Sequence, residues 1–222
     1  MKISILTLFP DMFAGPFDSS IIKRAKEKGI VDISFVNIRD FATDAYGSVD
    51  DHPYGGGVGM ILRVDVVDRA LQQVKTKNSR IILLDPQGTP YTQKKAKELS
   101  TIDHLILICG HYEGVDERIR SLVDEEISIG DYVVTGGEIP AMMVVDSVVR
   151  LLPGTLVKSE ATENESFSQD SLEYPQYTRP EVYKDMKVPD VLLSGNHKEI
   201  EKWKKEQSMK RTTSRRPDLL QE

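Results

Sequence analysis

Hydrophobic and polar positions along this chain alternate between two periods. Leu105-Ile106-Leu107-Ile108-Cys109 is apolar at every position, the pattern of a strand buried on both faces and typical of a parallel sheet. Comparable runs at 3–9, 31–38, 80–85 and 132–135 predict four more strands. Helical spacing over 20–28, 65–74, 92–99, 115–123 and 139–152 predicts helices between and after them, with Thr92 as an N-cap and Gly29 as a stop. Such alternation is the signature of an α/β domain with a mostly parallel sheet. From 158 to 175 the chain is polar and acidic and follows neither period, which predicts a flexible linker. Beyond it, Tyr174-Pro175-Gln176-Tyr177-Thr178-Arg179-Pro180 reads as an extended strip. A helix at 198–207 follows, with Ile200 and Trp203 on one face. The pattern thus divides the chain into a domain over 1–157, an acidic linker over 158–175 and a small helical domain over 176–222.

Several predicted strands run straight into glycines. Gly110-His111-Tyr112-Glu113-Gly114 follows Cys109, and Asp85-Pro86-Gln87-Gly88 follows Leu83-Leu84. Ser128-Ile129-Gly130-Asp131-Tyr132-Val133-Val134-Thr135-Gly136-Gly137 leads into the helix that carries Pro140. Glycine lets a backbone turn sharply and approach a ligand closely, and open α/β sheets bind ligands beyond the carboxyl ends of their strands. One such loop reads as a tight turn; three together predict a small-molecule site built mainly from backbone. A fourth cluster, Pro53-Tyr54-Gly55-Gly56-Gly57-Val58-Gly59, has no Lys-Ser/Thr after it and is not a phosphate-binding P-loop. Nor does a Gly-x-Gly-x-x-Gly follow the first strand, so a nucleotide triphosphatase and an ordinary dinucleotide fold are both disfavoured. Asp50, Asp51 and His52 are adjacent, but without a distant partner they read as a hydrophilic turn rather than metal ligands. Asp146 and Arg150 share a helix face four residues apart, which suits either an ion pair or a cation set to meet a developing oxyanion.

Composition changes the picture at one end. The 222 residues are 39% hydrophobic and 29% charged, ordinary for a soluble domain, and the single cysteine excludes an internal disulfide and fits a reducing compartment. The opening apolar stretch is too short and polar-interrupted for a signal peptide, and 139–152 falls short of a membrane span. A cytoplasmic protein is the expectation. Net charge is −6, yet 197–216 holds eight Lys/Arg against three Glu, a local +5 that leaves −11 on the rest. A basic end on an acidic body suits a module that touches phosphates, and suits equally a solvated helix with internal ion pairs.

The motifs together carry a resemblance. Leu8-Phe9-Pro10, Asp51-x-Pro53-Tyr54-Gly55-Gly56-Gly57-x-Gly59-Met60, Cys109-Gly110-His111-Tyr112-Glu113-Gly114-x-Asp116-Glu117-Arg118 and Ser128-Ile129-Gly130-Asp131-Tyr132-Val133 resemble those of the bacterial tRNA (guanine-N1)-methyltransferases. So do Tyr177-Thr178-Arg179-Pro180, Leu192-Leu193-Ser194-Gly195-Asn196-His197 and Arg215-Arg216-Pro217-Asp218-Leu219. The resemblance implies methylation, from S-adenosylmethionine, of N1 of the tRNA guanine 3′ of the anticodon (position 37), which maintains reading frame. It also implies a deep C-terminal trefoil knot in the α/β domain, a homodimer whose protomers share each active site, and a possible Mg²⁺ requirement. By similarity, Leu84, Pro86, Gly88, Gly110, Tyr112, Glu113, Gly114, Ile129, Gly130, Asp131, Tyr132, Val133, Val134, Gly136, Gly137 and Pro140 bind the cofactor. Arg150 is implied to face guanine O6 and Glu165 to be the general base, with the helical domain serving the tRNA. At Glu165 the family usually has aspartate, and Val157-Lys158 stands where it usually has Leu-Gly; Glu160 and Glu163 are nearby alternative carboxylates.

Overall fold

The computed structural model describes residues 1–157, 162 and 165–220; the alternative bases Glu160 and Glu163 lie outside them. The chain divides into two compact units, Met1–Val157 and Lys158–Glu222. The first opens with β1 (Lys2–Thr7), a 3₁₀ turn (Pro10–Phe13), α1 (Ser20–Glu27) and β2 (Asp32–Asn37). A short antiparallel pair follows, β3 (Asp50–Asp51) and β4 (Ile61–Leu62), then α2 (Val64–Val74), β5 (Ser79–Pro90) and α3 (Gln93–Leu99). The unit is completed by β6 (His104–Cys109), a 3₁₀ helix (Glu117–Leu122), β7 (Glu125–Ser128) and α4 (Glu138–Val149). Five strands form one parallel sheet in the order β2-β1-β6-β5-β7.

Alternation along the central strands builds two cores, one on each face. Ile3, Ile5, Leu105, Leu107, Cys109, Ile82 and Leu84 point to α4, with Phe13, Phe17 and Leu99. Leu6, Ile106, Ile108, Ile81 and Leu83 point the other way, onto Val66, Val67, Ala70 and Leu71 of α2. Each of the Val, Ile, Leu and Phe side chains among these contributes about 1.5–3 kcal/mol by leaving water, so the register of β6 between β1 and β5 is strongly specified. Burial also pushes the Cys109 thiol well above its usual range, with Glu138 adding to the effect, which leaves it an unreactive core residue.

Two expectations need correction. The run 132–135 is not a strand; the edge of the sheet is β7, just upstream. Its sequence, Glu125-Glu126-Ile127-Ser128, is short and charged because Glu125 pairs with Arg80 and Lys95 at the sheet border. The segment 115–123 is a 3₁₀ helix rather than an α-helix, begun by Asp116, whose carboxylate accepts from the Arg118 N–H at 2.9 Å.

The second unit contains a hairpin of β8 (Val182–Tyr183) and β9 (Met186–Lys187), then α5 (Asp190–Leu193) and α6 (His197–Arg215). The Asn196 side chain caps α6, which extends well beyond the predicted 198–207. Part of the stretch expected to be a linker is tied to α6. The Leu172 N–H donates to Thr212 Oγ1 at 2.9 Å, Ser208 Oγ donates to Leu172 O, and Arg211 reaches Glu173 O. Among the described residues, no helix is long and apolar enough to cross a membrane.

Candidate functional site

The carboxyl ends of β5, β6 and β7 converge on one cavity of about 350 Å³, within the range of small-molecule sites. Its first wall arises because β5 breaks step with β7. Leu84 and Thr89 both stand opposite Ile127, so the four residues between them bulge out. Gly88 permits this, since a Cβ there would stand 2.5 Å from the Ile127 backbone nitrogen. The second wall is 110–115, pinned to β4 through Glu113 N–H to Met60 O and Leu62 N–H to Gly114 O, both 3.0 Å. The third is 127–137, ending where the Gly137 N–H donates to Gly110 O at 2.8 Å. A Cβ on Gly137 would lie 2.5 Å from Cys109 Cα, so only glycine lets α4 start against the end of β6.

Of the residues expected to bind a cofactor, Leu84, Pro86, Gly110, Tyr112, Glu113, Gly114, Ile129, Tyr132, Val133, Val134, Gly136, Gly137 and Pro140 line this cavity. Gly88, Gly130 and Asp131 do not. Gly88 supports the bulge, Gly130 lies under the Tyr132 ring, and Asp131 is exposed. Sequence reasoning missed Asp85, Gln87, His111, Ser128, Thr135 and Arg120, which also line it. The first five sit beside predicted residues, whereas Arg120 lies in a segment read as an ordinary helix and carried no signal.

The polar groups around the cavity are held closely. Tyr112 is in the left-handed region at φ 64°; burial raises its phenol pKa, Asp50 raises it further and Arg39 pulls the other way. The His111 ring lies 4.8 Å from Phe9, and its Nδ1 is buried without a hydrogen-bond partner among the described residues. Glu138, in the first turn of α4, is fully buried and accepts from Thr7 Oγ1 at 2.7 Å, a place where the helix N-terminus favours negative charge. Arg120 meets three carboxylates: Glu117 at 2.9 Å, Asp85 at 3.4 Å, and Glu126 in a close pair.

The two expected catalytic residues belong to different units. Arg150 is the half-buried C-cap of α4, its N–H donating to Asp146 O at 3.1 Å. Glu165 is half-buried at the head of a turn, where its carbonyl accepts from the Ser168 N–H and hydroxyl at 3.1 and 2.6 Å. Among the described residues no group of three or more His, Cys, Asp or Glu is gathered to hold a metal ion, the Asp50–His52 cluster included.

A profile of the family described as tRNA (Guanine-1)-methyltransferase TrmD matches residues 1–222. The chain is 58% identical over 221 residues to the tRNA (guanine-N(1)-)-methyltransferase of Carboxydothermus hydrogenoformans, covering 99% of this chain and 87% of that protein. Proteins of the same name from Dictyoglomus turgidum and Geobacillus kaustophilus are 54% and 57% identical, over 100% of this chain and 90% and 92% of theirs. With a profile match over all its residues and relatives this similar along nearly their whole length, the chain belongs to the tRNA (guanine-N1)-methyltransferase family.

Proposed function

We propose that the protein transfers a methyl group from S-adenosylmethionine to N1 of the guanine at tRNA position 37, 3′ of the anticodon, acting in the cytoplasm. The activity is that of a tRNA (guanine-N1)-methyltransferase with tRNA as substrate. The observation that carries the cofactor assignment is the cavity beyond β5, β6 and β7. Its glycine-lined backbone offers hydrogen bonds to an adenine edge, and Leu84, Ile129 and Val134 supply apolar walls. S-adenosylmethionine, when bound, supplies an electrophilic methyl on its sulfonium sulfur. The guanine leaves its stack to expose N1; Glu165 takes the N1 proton while Arg150 stabilises the charge building on O6. A Mg²⁺ requirement stays part of this reading as the family implies it, and no step is assigned to it.

Three further features belong to the same reading. The deep trefoil knot is supported by β6 lying between β1 and β5 and by the return of Gly137 onto Gly110 after β7. A homodimer with shared active sites is supported by α4, which is apolar on nearly every side yet leaves Ile139 and Met143 exposed; Phe9 and Met12 are exposed as well. The tRNA role of the second unit is supported by the exposed Lys198, Lys202, Lys205, Lys210, Arg215 and Arg216 on and after α6. The test is methyl transfer from labelled S-adenosylmethionine to undermodified tRNA, with nucleoside analysis of the product. N1-methylguanine confined to position 37 is expected; no incorporation, or label on another base, refutes the assignment.

A further inference from the structure

The cavity walls come from three separate stretches of chain, and one side chain ties the bulge of the first to β7, the strand that leads into the third. Arg120, in the 3₁₀ helix after β6, donates from Nε to Glu117 at 2.9 Å and from Nη2 to Asp85 at 3.4 Å, while Nη1 pairs closely with Glu126 of β7. Asp85 is the first residue of the β5 bulge, and its side chain is only 10% exposed. Arg120 is 17% exposed and Glu117 is 85% exposed. A guanidinium can serve these carboxylates because its five N–H donors are fixed in a planar fork; an ammonium is a point charge on a flexible stem. Without the cation, three negative groups converge at one point. Glu117 is already in water and Glu126 is partly so, so Asp85, the most buried of the three, is the group that must move outward to be solvated. The bulge that forms the first wall moves with it.

We infer that Arg120 is a positioning residue for the methyl donor, holding the 85–88 bulge against β7 so that the cavity has one shape before the ligand arrives. This rests on the cavity being the S-adenosylmethionine site. Glu126 does not line the cavity, so its side chain does not touch the ligand, and its pair with Arg120 is the contact that Glu126→Gln weakens.

The experiment measures S-adenosylmethionine Kd by calorimetry, steady-state KM and kcat on undermodified tRNA, and the melting temperature, for Arg120→Met, Arg120→Lys, Glu126→Gln and Gly110→Val. Loss of a charged hydrogen-bond network predicts about a tenfold rise in Kd and KM for Arg120→Met and a smaller rise for Glu126→Gln. At saturating donor, kcat stays within about twofold for Glu126→Gln, whose side chain does not line the cavity, because an open wall weakens binding but does not touch the reacting groups. Arg120→Lys follows Arg120→Met, since charge without the fork does not reach three partners. If Arg120→Met does not fold, Glu126→Gln carries the test by the same split. Unchanged Kd and KM in Arg120→Met and Glu126→Gln, with lower melting temperatures alone, would overturn the inference and leave Arg120 a stabilising residue. A raised KM in Arg120→Met beside a wild-type Glu126→Gln would also overturn it, in favour of direct ligand contact. Gly110→Val separates the two levels: wild-type binding there defeats the cavity assignment itself. Lost binding there, with Arg120→Met and Glu126→Gln unaffected, defeats only the role given to Arg120.

Discussion

At Gly110 and Gly137 an added side chain meets different surroundings. A Cβ on Gly110 has ordinary contacts, 3.4 Å to Val115 Cγ1 and 3.5 Å to Leu84 O, whereas on Gly137 it collides with the backbone of Cys109 and Gly110. Gly110→Val is therefore expected to abolish S-adenosylmethionine binding with the circular dichroism spectrum intact, while Gly137→Val loses binding and stability together. Calorimetry beside thermal melts checks both halves; undiminished affinity in Gly110→Val removes the pocket from that loop. For the base, Glu165→Gln is expected to slow single-turnover methyl transfer about 10²–10⁴-fold, the usual worth of a general base. Glu165→Asp, which restores the residue usual in the family, keeps near-normal rates, and both variants still bind donor and tRNA. Near-wild-type turnover by Glu165→Gln would move the role to another carboxylate. The cavity was legible at this scale because glycines after apolar runs mark places where backbone must approach something. Arg120 was not, because its function depends on Asp85 and Glu126 meeting it across strands.

Among the elements, β6 and the 81–84 run of β5 were legible because a run buried on both faces leaves no polar position to confuse the pattern, while β1 and the edge strand β2 were read from apolar runs interrupted by polar residues. β7 was hidden because its glutamates face cations at the sheet border, and cross-strand pairing is invisible to local periodicity. One polar feature lies inside the sheet. His104, at the start of β6, is 5% exposed, with Nε2 3.0 Å from Ser4 Oγ and Nδ1 2.9 Å from Ser79 Oγ. Burial lowers its pKa below the ordinary 6.5, and Lys2 lowers it further. The folded state therefore favours neutral imidazole, and the unfolded chain takes up the proton first as pH falls. Its contribution to stability is full above the unfolded pKa and is lost as pH falls through the depressed folded value. Urea midpoints are expected to decline from neutral to mildly acidic pH in the wild type and to decline less in His104→Gln. Parallel pH profiles for the two proteins would show that this histidine does not titrate with folding.

Over the whole molecule, charge and apolar surface make separate demands. Met143 is 46% exposed beside Ile139 on a largely buried helix, so Met143→Glu is expected to convert the proposed dimer into a 25.0 kDa monomer on sedimentation, with methyl transfer lost. Sedimentation unchanged from wild type would leave that face without a protein partner. The basic end makes a different claim. On α6 a half-buried stripe of Ile200, Trp203, Lys204, Gln207, Ser208 and Arg211 leads to the buried Thr212, which places Lys198, Lys202, Lys205 and Lys210 in water. Lys204 pairs with Glu201 at 2.7 Å and its ammonium lies 5.1 Å from the Tyr174 ring; that pair already cancels within the +5, which leaves exposed lysines for phosphates. A cation that neutralises a phosphate releases a counterion, so tRNA affinity falls linearly on a log–log plot against salt, by about 0.7–0.9 in slope per contact. Lys202→Ala, Lys205→Ala and Lys210→Ala are each expected to weaken tRNA binding and reduce that slope by about one contact if they meet phosphate, with donor affinity unchanged. If all three bind tRNA with the wild-type affinity and salt slope, α6 is a solvated helix with internal ion pairs, and the acidic body must carry the tRNA by other surfaces.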